Sequence, residues 1–279
     1  MEFPVTNIII MLLLAGGMFY GQAIFRKKRA EWGKTLTIGC AISIIVLTIW
    51  TNLKGPDLEG PRIREAQYSK VQATILAHNL ANMYSGKGKC LVIHDPYMSE
   101  SNKRSLDNLI SGFQHGFQNR VTEIRTVPIK ELERDADGNI AEEMMADYKS
   151  EDFNKVIKAN SDCDMLILLV SLPHSEDDLI EMDPFLMIED PDNPNNWIKD
   201  PKKDYPLVGV FNGFIGNSES LFHDNLIGAM TMWRPNPTID ENDVPDDIQE
   251  AFDKRYVVIT SENFKAVKGQ YPKLFPQKR

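Results

Sequence analysis

Two apolar runs lie within the first 53 residues, and no other feature of the sequence restricts the fold as strongly. From Val5 to Phe25 the only strongly polar side chains are Asn7 and Gln22, and from Thr35 to Leu53 there is no charge at all. Each run has the ~20 residues that a helix needs to cross roughly 30 Å of hydrocarbon. A cleaved signal peptide fits poorly, because no basic segment precedes the first run and a second full-length run follows it closely. Residues 1–53 therefore read as a transmembrane hairpin, with spans at 5–25 and 35–53 and a connecting loop at 26–34. Arg26-Lys27-Lys28-Arg29 lies in that loop. Basic loops stay cytoplasmic, which puts everything beyond the second span on the periplasmic or extracellular side of a bacterial inner membrane.

The two spans also carry small residues at four-residue spacing, Gly17 and Gly21 on the first, Gly39 and Ser43 on the second. Folded back antiparallel about the loop, these four come to matched depth and predict a close helix–helix contact. The partners expected on this ground are the lipid bilayer and a protein, either a neighbour or another copy of the chain.

Charge separates the hairpin from the rest. The first 53 residues hold a net +3 and the whole chain −9, so the remainder holds −12. An acidic domain repels phosphate backbones, which argues against nucleic acid as a partner. Residues 54–61, with Gly55-Pro56 and Gly60-Pro61, read as a short linker to a domain over 62–279.

In that domain, helical spacing alternates with short apolar runs. Residues 62–84, 101–117, 153–159, 218–223, 246–252 and 261–269 have helical patterns, while 90–94, 121–127, 165–170, 207–211, 226–233 and 256–259 read as strands. Strands apolar on both faces and separated by helices form mostly parallel sheets covered on each side. The expectation is a doubly wound α/β domain of about six strands. Between the third and fourth strands, residues 172–205 form an insertion too long for an ordinary connection. It holds Phe185, Met187 and Trp197, more apolar character than a disordered loop carries, and so predicts an ordered cover or partner surface.

The element order resembles one lobe of a type 1 periplasmic-binding-protein-like domain. The residues that carry the resemblance are Leu91-Val92-Ile93-His94-Asp95, the helix end Ser111-Gly112-Phe113, Asp162-Cys163-Asp164-Met165-Leu166-Ile167-Leu168 and Tyr256-Val257-Val258-Ile259-Thr260. It spans about residues 88–270 and implies an α/β fold with a role in recognition.

In open α/β sheets, ligands sit beyond the carboxyl ends of the strands, where the strand order reverses. That rule selects Asp95 and Tyr97 after the first strand, His174 after the third and Asn212 after the fourth as candidate ligand-binding residues. No catalytic motif accompanies them. The stretch Gly216-Asn217-Ser218-Glu219-Ser220 breaks the nucleophile-elbow pattern at its last position. No phosphate-cradling glycine loop occurs, and the histidines and cysteines lack metal-site spacing, so neither a cofactor nor a metal is expected. Cys90 and Cys163 flank the starts of neighbouring strands, and on an oxidising side of a membrane they either pair or remain two buried thiols. The leading reading is a membrane-anchored, non-enzymatic recognition or assembly subunit; the alternative is an extracytoplasmic small-molecule sensor or hydrolase-like enzyme that uses the strand-end residues.

Overall fold

The computed structural model describes residues 5–28, 31–53, 59–96, 98, 103–131, 148–173, 178–179, 181–185, 187–190, 193–199, 206–213, 221–222, 226–238 and 244–275. The chain divides into two units, Met1–Arg62 and Ile63–Arg279.

The first unit is a pair of long helices, α1 (Val5–Lys28) and α2 (Glu31–Leu53). Arg and Lys are good helix formers, so nothing in Arg26-Lys27-Lys28 stops α1, which runs to Lys28, and α2 already begins at Glu31. That tightening resets which residues face each other. Gly21 is buried, and a methyl group placed on it would lie 2.8 Å from both the Gly33 carbonyl oxygen and Thr37 Oγ1. A methyl on Gly17 would meet Cys40 Sγ. Thr37 Oγ1 donates across to the Met18 carbonyl at 3.4 Å and within its own helix to Gly33 at 2.9 Å. The ridge on α2 is therefore Gly33, Thr37 and Cys40. Gly39 and Ser43, expected at this contact, are both exposed; Ser43 Oγ merely donates to the Gly39 carbonyl of its own helix.

Among the described residues no helix is long and apolar enough to cross a membrane. The side chains of residues 5–12 and 45–53, on which much of the spanning expectation rests, lie outside the description. Within the described part, large apolar side chains are displayed outward, with Leu13 72%, Phe19 75% and Ile42 56% exposed.

The second unit begins inside α3 (Glu59–Met83), so the expected linker residues 59–61 are already helical, with Pro61 tolerated in the first turn. Strands β1 (Gly88–His94), β2 (Val121–Pro128), β3 (Met165–Leu168), β6 (Leu207–Val210), β7 (Ile227–Trp233) and β8 (Tyr256–Thr260) form one sheet in the order β2-β1-β3-β6-β7-β8. All neighbours are parallel except β7 and β8. The described residues of this unit also include helices α4 (Lys103–Phe117), α5 (Ser150–Ala159), α6 (Ile248–Arg255) and α7 (Phe264–Gln270). Among the described residues the insertion holds a short 3-10 turn, Asp183–Phe185, and a hairpin of β4 (Met187–Asp190) and β5 (Asn193–Lys199) that forms its own two-stranded sheet.

Side-chain alternation along each strand feeds two cores, one per face. On one face Cys90, Val92, Met165 and Ile167 pack under α3 and α4 through Leu76, Leu80, Leu109 and Phe113. On the other, Leu91, Ile93, Leu166 and Leu168 pack against Phe153 of α5, Phe185 of the insertion and Phe264 of α7. Helices α3 and α4 touch backbone to backbone. A methyl on Gly112 would lie 2.8 Å from Ala73 Cβ, and Thr74 Oγ1 donates to the Gly112 carbonyl at 3.2 Å. Gly112 and Gly116 thus serve a packing role in which any side chain would force the helices apart. At the β8 end, Arg255 is 1% exposed; its guanidinium lies 3.5 Å over the Tyr68 ring and bonds both Glu65 carboxylate oxygens at 2.7 and 2.8 Å, tying α6 to α3.

Candidate functional site

The chain leaves β1 through α4 to reach β2 on one side, then crosses back through α5 to β3 on the other. The strand order therefore reverses between β1 and β3, and the carboxyl ends of β1, β3 and β6 form one row. Asp95 follows β1, Ser171 lies beyond β3, and Asn212 follows β6. Asp95 and Asn212 stand two strand spacings apart, roughly 10 Å.

Each of these two polar groups is fixed by a partner from elsewhere in the chain. Tyr148, immediately ahead of α5, donates its phenolic hydroxyl to Asp95 Oδ2 at 2.8 Å. Asn212 has a φ of 54°, in the left-handed region that asparagine tolerates better than most residues. Its Oδ1 accepts from Gln72 Nε2 at 2.6 Å. Gln72 is 1% exposed, and the same nitrogen lies 2.9 Å from Thr231 Oγ1, itself fully buried. The Gly213 N–H closes the turn by donating to the Thr231 carbonyl at 3.1 Å. A backbone strained into this conformation is stable only where its surroundings hold it.

His94 does not join this row. It is 2% exposed, and its Nδ1 lies 2.8 Å from the Asp95 carbonyl, so the ring is turned into the protein. Tyr97 and His174 lie outside the described residues. Asp95 and Asn212, expected at the strand ends, stand in this row, and each is held by residues that sequence reasoning did not single out: Tyr148 for the first, Gln72 with Thr231 for the second. Gln72 carried a signal: it is a lone amide on the buried face of α3, between Tyr68 and Leu76. Tyr148 and Thr231 carried none.

Phe185, expected on a partner surface, is fully buried in the core beside Phe153. The side chains of Met187 and Trp197 lie outside the description, although their strands pair through Met187 opposite Lys199 and Glu189 opposite Trp197. The two domain cysteines are free thiols. Cys90 belongs to the core under α3 and α4, whereas Cys163 packs against the core on the opposite face, so the sheet separates them. Burial pushes both thiols above their ordinary pKa.

The amino end of the sheet is built differently. Asp162 accepts from Lys89 Nζ at 2.7 Å and from Arg125 at 3.0 Å, and Arg125 also reaches Glu123 at 3.2 Å and Asn160 at 2.9 Å. The hydrogen bonds from Arg125 and then Lys89 hold the Asp162 carboxyl well below the usual carboxylate range. A cleft of about 290 Å³ opens nearby, lined by Leu91, Ile157, Cys163, Leu166 and Pro184. Among the described residues, no three acidic, histidine or cysteine side chains cluster as a metal site.

No protein-family model matches the chain, and no curated protein matches it. Solved structures with a similar arrangement include a galactofuranose binding protein, at 14% identity and a TM-score of 0.41, covering 74% of this chain and 63% of that one. Another is AraP, an arabinose binding protein from Geobacillus stearothermophilus, at 13% identity and a TM-score of 0.39, covering 71% and 62%. A third is the substrate-binding protein of a sugar transport system from Bordetella parapertussis, at 8% identity and a TM-score of 0.35, covering 59% and 41%. The chain spans less than two thirds of the length of each. At these values the likeness carries no argument about ligand or role.

Proposed function

We propose that this protein is a non-enzymatic recognition domain tethered to a bilayer, which takes a small polar ligand at the carboxyl end of its sheet. The observation that carries this reading is the Gln72–Asn212–Thr231 cluster: a buried amide holds a left-handed asparagine at the edge of the switch-point row. Asp95 on Tyr148 supplies a second fixed group roughly two strand spacings away. A fixed carboxylate and a fixed amide at that separation suit a compact ligand rich in hydroxyl or amino groups.

The tether rests on the hairpin. At about 1.5 Å per residue, the 24 residues of α1 extend roughly 36 Å, beyond the ~30 Å of a hydrocarbon core. Most of the large apolar side chains exposed in the described structure lie on α1 and α2, a surface that water disfavours and lipid accepts. The basic turn then faces the cytoplasm, and the domain faces the periplasm or exterior of a bacterial cell.

The test uses the full-length chain. It should remain in the membrane pellet through an alkaline carbonate wash and be extracted by detergent. Its melting midpoint is then followed against a panel of pentoses, hexoses and α-amino acids. At least one compound should raise the midpoint, and Asp95→Ala and Asn212→Gly should each abolish that rise. A carbonate-soluble chain removes the tether; a rise that survives both substitutions removes the site.

A second reading, docking of a protein partner on the insertion, is favoured by the β4–β5 hairpin. It stands apart from the main sheet, and an isolated two-stranded hairpin is only marginally stable without something packed on it.

A further inference from the structure

The main sheet has two edges, and they are finished in opposite ways. At the β8 edge the Asn263 side chain takes the place of a neighbouring strand: its Nδ2 donates to the Val258 carbonyl at 3.0 Å, and its Oδ1 accepts from the Thr260 N–H at 2.8 Å. Nothing comparable covers β2 among the described residues. Ile129 N donates inward to the His94 carbonyl, so alternation along the strand turns the backbone N–H and C=O of Ile124 and Thr126 away from β1. Such an open row is a template for another strand.

The residues on that strand read the same in both directions. Val121-Thr122-Glu123-Ile124-Arg125-Thr126-Val127 is a palindrome about Ile124 in which the one asymmetric pair, Glu123 and Arg125, is opposite in charge. We infer that β2 is a homodimerisation edge: two copies pair antiparallel across a two-fold axis at Ile124 and join their sheets into one of twelve strands. In that register each Glu123 stands opposite Arg125 of the second copy at about 4.5 Å between Cα atoms, in the regular part of β2 that follows the bulge at Thr122, where Gly88 pairs with Val121 and Lys89 with Glu123. Ile124 exchanges both backbone hydrogen bonds with Ile124 of the second copy. Pro128 lacks an N–H and ends the pairing at Val127.

Charge selects this arrangement over its rivals. In a parallel pairing Glu123 would face Glu123 and Arg125 would face Arg125, and a slip by one residue would bring neither charge opposite its complement. Edge charges commonly repel other strands; here the same two charges attract the reversed copy of their own strand. Glu123 and Arg125 keep 46% and 31% of their side-chain surface exposed while pairing with each other, Lys89 and Asp162, so a contact across the axis extends a network already in place. The inference does not depend on the ligand-binding reading.

The test again uses full-length protein in detergent. Wild type should sediment as a two-copy species whose dissociation constant weakens about tenfold or more in Glu123→Lys, because two attractive pairs become two repulsive ones. Adding Arg125→Glu should restore it. Independently, Ile124→Cys with Cys40→Ser and Cys163→Ser should give a covalent dimer on mild oxidation, since about 5.5 Å between Cα atoms lies within disulfide reach. Melting curves confirm that each variant is folded. A wild-type monomer, a dimer indifferent to Glu123→Lys, or a folded Ile124→Cys chain that does not cross-link each overturns the inference. Association through the hairpin alone produces the second and third of these results.

Discussion

The two ends of the sheet both gather polar side chains, yet they do so by different physics. At the amino end Lys89, Glu123, Arg125 and Asp162 form a ring of ion pairs that stays partly open to solvent. At the carboxyl end, uncharged groups do the positioning, and the central one, Gln72, is 1% exposed. Exposed ion pairs are screened and contribute little, whereas a buried amide that loses its partner keeps the full cost of desolvation. The conspicuous charges therefore fasten strands together, and the less conspicuous amide marks the end at which geometry is controlled.

Breaking the carboxyl end should produce the larger effect. Gln72→Leu conserves volume but removes the donor shared by Asn212 and Thr231. It should destabilise the domain by about 1–2 kcal/mol, read as a fall of several degrees in melting midpoint. Part of the loss should return in Gln72→Leu/Thr231→Val, because removing both partners costs less than orphaning one. If the double variant is no better than the single, the amide is not acting through Thr231.

Tyr148→Phe probes the other fixed group and should cost less, about 1 kcal/mol at most, because Asp95 is only half-buried and water replaces the lost donor. Its larger consequence should be on the ligand-induced shift, which requires Asp95 in place. An unchanged shift would mean that Asp95 is not held by Tyr148 when the site is occupied.

Much of this architecture was legible in the chain. The six strands of the main sheet fall where the apolar runs lie, because strands buried on both faces leave a continuous apolar signature. The site was legible only in outline. Topology pointed to Asp95 and Asn212, but Gln72 and Asn212 are 140 positions apart, and no local pattern announces such a bond. The cysteines were left open for a related reason: adjacency of strands was readable, but the face on which each thiol lies, which keeps both free, depends on the turn before β3. Gly39 and Ser43 failed because helix α1 runs on through its basic residues, shortening the turn and shifting the register of the pair. Phe185 failed because an apolar residue in an insertion fits a core as well as a surface.

The amino end provides the smallest effect and the sharpest contrast. Arg125 and Lys89 depress the Asp162 carboxyl in the folded state below its ordinary value of 3.8. A group whose folded pKa is depressed stabilises above its unfolded pKa, and that stabilisation is lost as pH falls through the folded value. Asp162→Asn should therefore lower the melting midpoint slightly at neutral pH, with the gap from wild type closing as the medium is acidified below the ordinary carboxylate range. The gap should also shrink in about 1 M salt, where screening acts within roughly 3 Å. Gln72→Leu bears no charge at either partner, so its deficit should persist through the same salt and acid series. If the two variants respond alike, the distinction between an electrostatic end and a hydrogen-bonded end is wrong.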